Sequence, residues 1–517
     1  MKASLKVLSA SVALATIAAA GSVSAAPLTL ASPVDLEIKI SGASASDKAL
    51  KGVFETLCDG DSLAIFTDRC SDDSAAVNGQ DCGTSSAKLP GKSYAAYFCT
   101  MGAAAGIPTQ NVLVRKRSTG GSFWGTVPVA SADNTVDQMQ LGANCGLDAP
   151  GVYKCDKGVT EATVSDAGIS DEEPGLFTSI NVAAGKSPMT TTLAGQLDVQ
   201  PIAALTFGIP VTNALYGALQ KAQGLNEDLD GDLILEGTSE TATEADILAN
   251  MPTLTKEHVA ALMKGSIPEW SSVQYGGVPL TATAGIAAPA DARVTICRRV
   301  NGSGTQAQLN ANFLNAPCAA DAEKPAVDNT TCTDTKGNAN SALPFCGAGY
   351  AVTTATTAGV ALVHENSGSG DVTECLDQLQ AANRWAVGVQ SMEKASSEWS
   401  FVKINGEAPT LENVNKGKYF DWAATTIQWR NAAVNGVPAP SGDMLAVLNA
   451  IRTEAGKPSV LDALNDKTNQ NIGATGYLAL NGAGVASPFN TNLPVMQYVR
   501  DGKTCNVQKA VGIVDFD

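Results

Sequence analysis

The stretch from Ala292 to Asn315 restricts the fold more than any other part of the sequence. Val294, Ile296 and their neighbours read as a strand, Arg299-Val300-Asn301-Gly302-Ser303-Gly304-Thr305 as a turn, and Leu309, Phe313 and Leu314 place a helix behind it. A strand running through a glycine turn into a helix is the repeating unit of α/β proteins. Other segments carry the same alternation. Ile202 to Val211 is an apolar run that reads as a buried strand or crossover. Thr255 is placed to cap a helix whose Val259, Leu262 and Met263 share a face, with Gly265 and Pro268 as stop signals. Met444, Val447, Leu448 and Ile451 fall at i, i+3, i+4 and i+7, and Gly456 and Pro458 close that helix. No internal repeat of fixed period is present.

The turn also has a chemistry. Gly302 and Gly304 let a ligand approach the backbone, and the free amides of the first helical turn, with the positive end of the helix dipole, point at it. Ser303 and Thr305 add hydroxyl donors, and Arg299 adds a planar fork that bonds two oxygens of a tetrahedral anion at once. A Gly/Ser turn capping a helix is equally an ordinary structural feature, so the loop needs corroboration. Arg117-Ser118-Thr119-Gly120-Gly121-Ser122 is a second hydroxyl and glycine turn, and Gly168 to Pro174 ends in a turn that exposes the carboxylate of Asp171. A carboxylate beside a bound anion is useful if the anion carries a proton. Asp171 then accepts that proton's hydrogen bond and repels a fully ionised ligand such as sulfate.

Lys2 and Lys6 precede an uncharged, Ala-rich apolar run ending in Val23-Ser24-Ala25, which predicts a secretory signal over residues 1–25 and a mature start at Ala26; an uncleaved anchor is the competing reading. No later segment reads as membrane-spanning, and no cysteine follows the apolar run to carry a lipid, so a soluble periplasmic or secreted protein is expected. Twelve cysteines, none in a CxxC pair, fit an oxidising compartment better than a metal or redox site. Cys58, Cys70, Cys82 and Cys99 fall in a Gly/Ser/Asp-rich stretch, and Cys318, Cys332 and Cys346 in another, so stapled surface insertions are expected. Pairing is open, with Cys145 to Cys155 the cheapest short loop. Of 34 Lys and Arg, removal of Lys2 and Lys6 leaves 32 against 51 acidic residues, a net charge of about −19. That surface argues against nucleic acid as a partner while leaving room for a small anion in one local site.

These turns, in this order, resemble the phosphate-binding periplasmic receptors of the high-affinity phosphate ABC transporter, within the type 2 periplasmic solute-binding superfamily. The family's Arg-x-x-Gly-Ser-Gly-Thr loop is matched at Arg299 to Thr305. Its hydroxyl-Gly-Gly turn is similar to Ser118-Thr119-Gly120-Gly121, and its Ser-Asp-x-Pro turn to Ser170-Asp171 with one extra residue before Pro174. Its first glycine-rich turn is similar to Ser41-Gly42-Ala43-Ser44-Ala45-Ser46. Leu254 to Trp270 and the hairpin from Lys403 to Tyr419 resemble later segments. Departures are Asp47-Lys48 where the family has Phe-Pro after Ser46, Asn301 where an Asp is frequent, expected to leave Arg299 freer, and the cysteine-bearing insertions.

The resemblance implies an α/β, two-lobed type 2 periplasmic-binding-protein fold with mixed central sheets, a two-strand hinge and disulfide-stapled loop insertions. Lobe 1 would take 26–201 and return over 396–517, and lobe 2 would take 202–395. Hinge closure would bring Arg299, Ser303, Gly304 and Thr305 against Ser46, Ser118 and Asp171 around phosphate or a similar oxyanion. The partners implied are that anion and ABC transporter membrane subunits, with the protein a monomer, not an enzyme, and without cofactor or metal. Two other readings stay open: a secreted structural or surface-interaction protein on the same fold with lost or altered ligand binding, and a phosphate-ester hydrolase.

Little in the sequence favours catalysis. His258 and His364 are the only histidines, the first reading as a surface helix residue. His364, ahead of Ser367-Gly368-Ser369-Gly370-Asp371, reads as part of a plain loop. Asp228-Leu229-Asp230-Gly231-Asp232 lacks the twelfth-position glutamate of a calcium loop. Trp385, Trp399, Trp422 and Trp429 are expected in packing rather than as a sugar platform.

Overall fold

A computed structural model describes residues 26–69, 93–132, 135–156, 158–225, 243–334, 350–354, 359–465, 472–480 and 495–511. The expected signal segment, the Asp228–Asp232 turn and Cys70, Cys82 and Cys346 lie outside the described residues.

Two mixed sheets organise the chain. The larger has eleven strands, centred on Leu36–Gly42. Gln110–Arg117 and Ala167–Ser170 flank that strand, both parallel to it, and Trp422–Arg430 follows antiparallel to Ala167–Ser170. Leu197–Gly208 then pairs antiparallel with Trp422–Arg430. The smaller sheet has five strands, ordered Leu362–Asn366, Thr295–Arg299, Ala386–Gly388, Pro210–Thr212 and Trp399–Phe401. Its first three strands are parallel and its last two antiparallel. The molecule is therefore a two-lobed, mixed α/β protein stapled by disulfides.

The chain passes between the sheets through very short links. Leu197–Gly208 belongs to the larger sheet and Pro210–Thr212 to the smaller, with Ile209 between them. Ala386–Gly388 and Gln390–Ser391 repeat this in reverse across Val389. A third passage leads from Trp399–Phe401 in the smaller sheet to Trp422–Arg430 in the larger. Ile209 and Val389 are buried, so both short links run through the interior as the apolar run from Ile202 to Val211 requires.

Each lobe has its own core. In the first, Ile38, Ile40, Tyr97, Val112 and Val114 meet the helices Asp47–Leu57 and Gly442–Ala455 through Val53, Phe54, Val447, Leu448 and Ile451. In the second, Ile296, Val363, Val387, Leu376, Trp270, Trp385, Trp399 and Trp422 pack together, and Trp429 packs in the first, so Trp385, Trp399, Trp422 and Trp429 take the role expected of them. Burying one large apolar side chain of this kind contributes roughly 1.5–3 kcal/mol. The Thr255 hydroxyl accepts from the His258 amide and starts the helix Lys256–Met263, and Gly456 ends Gly442–Ala455. Both follow the local sequence signals. His258 is exposed.

Four disulfides join described residues: Cys58–Cys99, Cys145–Cys155, Cys297–Cys375 and Cys318–Cys505. Cys145–Cys155 is the short pair anticipated, closed because the two residues face each other in an antiparallel register. Cys318 is not stapled locally; its partner lies 187 residues away in the C-terminal hairpin. Cys297–Cys375 is wholly buried and ties the strand Thr295–Arg299 to the helix Ser369–Ala381. His364 is also a correction. It sits inside the strand Leu362–Asn366, buried, where burial and the nearby Arg384 hold its imidazole down at about 3, hence neutral.

Candidate functional site

Arg299 ends the strand Thr295–Arg299 directly beside Asn366, the last residue of the parallel neighbour. Register alone therefore brings its side chain to the loop leaving Asn366. Its Nε donates to the Asn366 carbonyl (3.3 Å), Nη2 to the Ser367 carbonyl (2.7 Å) and Nη1 to the Ser369 hydroxyl (2.9 Å). A guanidinium has five N–H donors. These bonds use three and leave one on each terminal nitrogen. Asn301 does not leave Arg299 freer, because three acceptors from the next loop hold it. The side chain is only 1 % exposed.

The turn after Arg299 is built as its glycines require. Gly302 has φ +92°, and the Ser303 hydroxyl caps the helix Gly304–Leu314 by accepting from the Gln306 amide (3.4 Å). Thr305 is buried and its hydroxyl has no partner. This helix has no exposed face: all eleven residues are buried, the polar ones included. Gln308 and Asn312 donate to Asp421, and Asn310 donates to Asn181.

The opposite wall closes directly on this turn. The Phe123 amide donates to the Gly302 carbonyl (2.8 Å), a backbone bond between the two lobes. A Cβ added at Gly121 would lie 2.7 Å from the Ser303 Cα, and one at Gly304 would lie 2.7 Å from Asp171 Oδ2. Glycine is thus required on both sides of the seam for the backbones to meet.

Asp171 follows the strand Ala167–Ser170, and its amide donates to the Ser122 hydroxyl (3.1 Å). Its Oδ1 is buried without a partner. Burial pushes the carboxyl up to about 7; Arg299 opposes this and Glu393 adds to it. Glu393 is itself paired with Lys394 (3.5 Å).

Lys116, Asp47 and Ser118 form a buried group beside Asp171. Lys116 is 1 % exposed, and its ammonium donates to the Ser118 hydroxyl (2.8 Å) and to the Ala43 carbonyl (2.9 Å). It also lies 3.4 Å from the Asp47 carboxylate. Ser118 donates to Asp47 Oδ1 (2.8 Å). Burial lowers the Lys116 ammonium and raises the Asp47 carboxyl, and each charge pulls the other back.

The structure brings Ser118, Asp171, Arg299, Ser303, Gly304 and Thr305 to one seam. Ser46 differs: its hydroxyl turns back to the Ala43 carbonyl (3.0 Å) at the start of the helix Asp47–Leu57. From that first turn it is Ser44 that reaches across the seam, to the Ser369 hydroxyl that also receives Arg299 (3.3 Å). Lys116, Asp47, Ser44, Ser122 and Ser369 are additions to the expected set. The Ser369 stretch had a readable signal, a Gly/Ser turn ahead of the apolar positions Val372, Leu376 and Leu379. Lys116 had only the period of its strand, which sends alternate residues to opposite faces. Arg115 pairs with Glu37 and Glu161, while Lys116 points toward Ala43 and Ser118.

No protein-family model and no curated protein matches the sequence. Among solved structures, the chain is similar to a protein described as a phosphate ABC transporter substrate-binding protein with bound phosphate from Clostridium perfringens. That match has 12 % identity over 83 % of this chain and 97 % of that one, with a TM-score of 0.38. It is also similar to an ABC-type phosphate transport receptor from Vibrio cholerae, at 12 % identity over 80 % of this chain and 93 % of that one, with a TM-score of 0.32. Among the described residues no helix is long and apolar enough to cross a membrane.

Proposed function

We propose that the protein is a solute-binding receptor that holds a tetrahedral oxyanion, phosphate or a close analogue, in the seam between its lobes. The observation that carries this reading is the buried Arg299, held by three acceptors with one N–H left on each terminal nitrogen, electrostatically coupled to Asp171 across the seam. Two remaining N–H donors on one guanidinium suit two oxygens of one anion. The first amides of the helix Gly304–Leu314 and the unpartnered Thr305 hydroxyl add donors of the same polarity. The other charges largely compensate one another, Asp47 with Lys116 and Glu393 with Lys394, so Arg299 and Asp171 are the pair that answers to a ligand. Asp171 Oδ1 suits a proton carried by the anion.

Binding in this reading proceeds by closure. The lobes part about the links at Ile209 and Val389, the anion enters, and closing removes water from each charge-assisted bond. The division of the chain into a first lobe, an inserted second lobe and a C-terminal return is part of the same proposal, as are the exported location and delivery to ABC transporter membrane subunits. Calorimetric titration with phosphate, arsenate and sulfate tests it. Phosphate and arsenate should bind and sulfate should not. No heat from any of the three, with Arg299 intact, would sink the receptor reading and leave a structural protein on this fold.

A further inference from the structure

The group formed by Asp47, Lys116 and Ser118 bears on which form of the anion is chosen, and the inference rests on the oxyanion reading above. Ser118 has one hydroxyl hydrogen and two lone pairs. The hydrogen goes to Asp47 Oδ1 (2.8 Å), and Lys116 donates to the hydroxyl oxygen (2.8 Å). Lys116 cannot reverse this, because an ammonium only donates. What Ser118 has left is a lone pair. Asp171 Oδ1, on the same lobe, is likewise an acceptor without a partner. The donors, Arg299, Thr305 and the helix amides, all come from the other lobe.

We propose that Asp47 and Lys116 are positioning residues that fix Ser118 as a hydrogen-bond acceptor, so that this wall selects an oxyanion bearing two protons, the monobasic form of phosphate or arsenate. One proton of the anion meets Asp171 and the other meets Ser118, while its unprotonated oxygens face Arg299 and the helix. The dibasic form has a single proton and presents a bare oxygen to one of the two acceptors. Sulfate presents bare oxygens to both.

The charged and titratable groups around Asp47 are Lys116, Lys394, Arg299, Tyr97 and Tyr477, and those around Asp171 are Arg299, Glu393, Lys116, Glu172 and Tyr477. The Asp171 titration is common to wild type and to variants at Asp47 or Ser118. A comparison of pH slopes therefore isolates the Ser118 hydroxyl.

Titration with inorganic phosphate between pH 6 and pH 8.5 supplies the test. In wild type, affinity for total phosphate should fall about tenfold per pH unit above the second ionisation of phosphate, as the monobasic fraction does. Ser118→Ala removes the acceptor and should flatten that slope. Asp47→Ala frees the Ser118 hydrogen to donate, and should flatten the slope and raise sulfate affinity at least about tenfold. Asp47→Asn keeps an amide oxygen facing Ser118 and Lys116, and should retain the wild-type slope although the charge is gone. If Asp47→Asn behaves as Asp47→Ala, charge rather than hydroxyl orientation governs selection, and the inference falls. Should Asp47→Ala not fold, Ser118→Ala decides alone. Phosphate binding with one pH slope in wild type and Ser118→Ala overturns this inference only. Absence of phosphate and arsenate binding in wild type at every pH overturns the oxyanion reading and the inference together.

Discussion

Asp171 is the residue whose surroundings make the sharpest demands. Its carboxyl is held up at about 7 by burial, far above the ordinary 3.8. An acid whose pKa is raised by folding favours the folded state while it is protonated in both states. That contribution is complete below about 4 and is lost as pH rises from about 4 to about 7. The ligand-free protein should therefore lose on the order of a few kcal/mol through this group alone across that window. Asp171→Asn should remove that component, read as a flatter dependence of the denaturation midpoint on pH. The same substitution exchanges an acceptor for a donor and should weaken the rejection of sulfate; unchanged selectivity would exclude the proton-acceptor role. Arg299→Ala leaves the Ser367 carbonyl without its donor, removes one partner each from the Asn366 carbonyl and the Ser369 hydroxyl, and should abolish oxyanion binding in calorimetry.

Among the elements, the helix Gly304–Leu314 couples site to fold. A methyl at Gly304 would press on Asp171 Oδ2 at 2.7 Å. Gly304→Ala should thus keep the lobes from seating and lower anion affinity by about a hundredfold or more, with the disulfides and both cores intact. Titration against a circular-dichroism control for fold would check this. The start of this helix was legible because Arg299, Gly302, Ser303 and Gly304 are local, contiguous signals, as were Thr255 and the Val447, Leu448, Ile451 face elsewhere. Its burial was not legible. Gln308, Asn310 and Asn312 are polar, yet they are buried because Asp421, the Trp422 carbonyl and Asn181 meet them from parts of the chain about 110–130 residues away. Lys116 went unread for the same reason. A lysine between two arginines looks like a wet basic run until Asp47, Ser118 and the Ala43 carbonyl close around it. That the Ser44 hydroxyl meets Ser369 while the Ser46 hydroxyl turns back to the Ala43 carbonyl was not legible either, because a run of small residues gives no local cue as to which hydroxyl leaves the turn.

For the molecule as a whole, the C-terminal hairpin acts as a strap. Arg500 donates to the Phe420 carbonyl (2.7 Å), the Thr504 amide donates to the Glu173 carboxylate (3.1 Å), and Cys505 is bonded to Cys318 just beyond the buried helix. The hairpin therefore touches the turn that carries Asp171 as well as the far end of Gly304–Leu314. Cys505→Ser, which opens a very long covalent loop, should lower unfolding stability by about 3 kcal/mol, seen as a fall in the denaturant midpoint. The order of strands in the larger sheet has a consequence in time. Trp422–Arg430 lies between Ala167–Ser170 and Leu197–Gly208, although both are synthesised more than 200 residues earlier. Until that strand emerges from the ribosome, the two halves of the sheet have no hydrogen-bonded partner at their shared edge. The nascent chain must hold that gap in the larger sheet open until Trp422–Arg430 is delivered, after every strand of the smaller sheet has already been made.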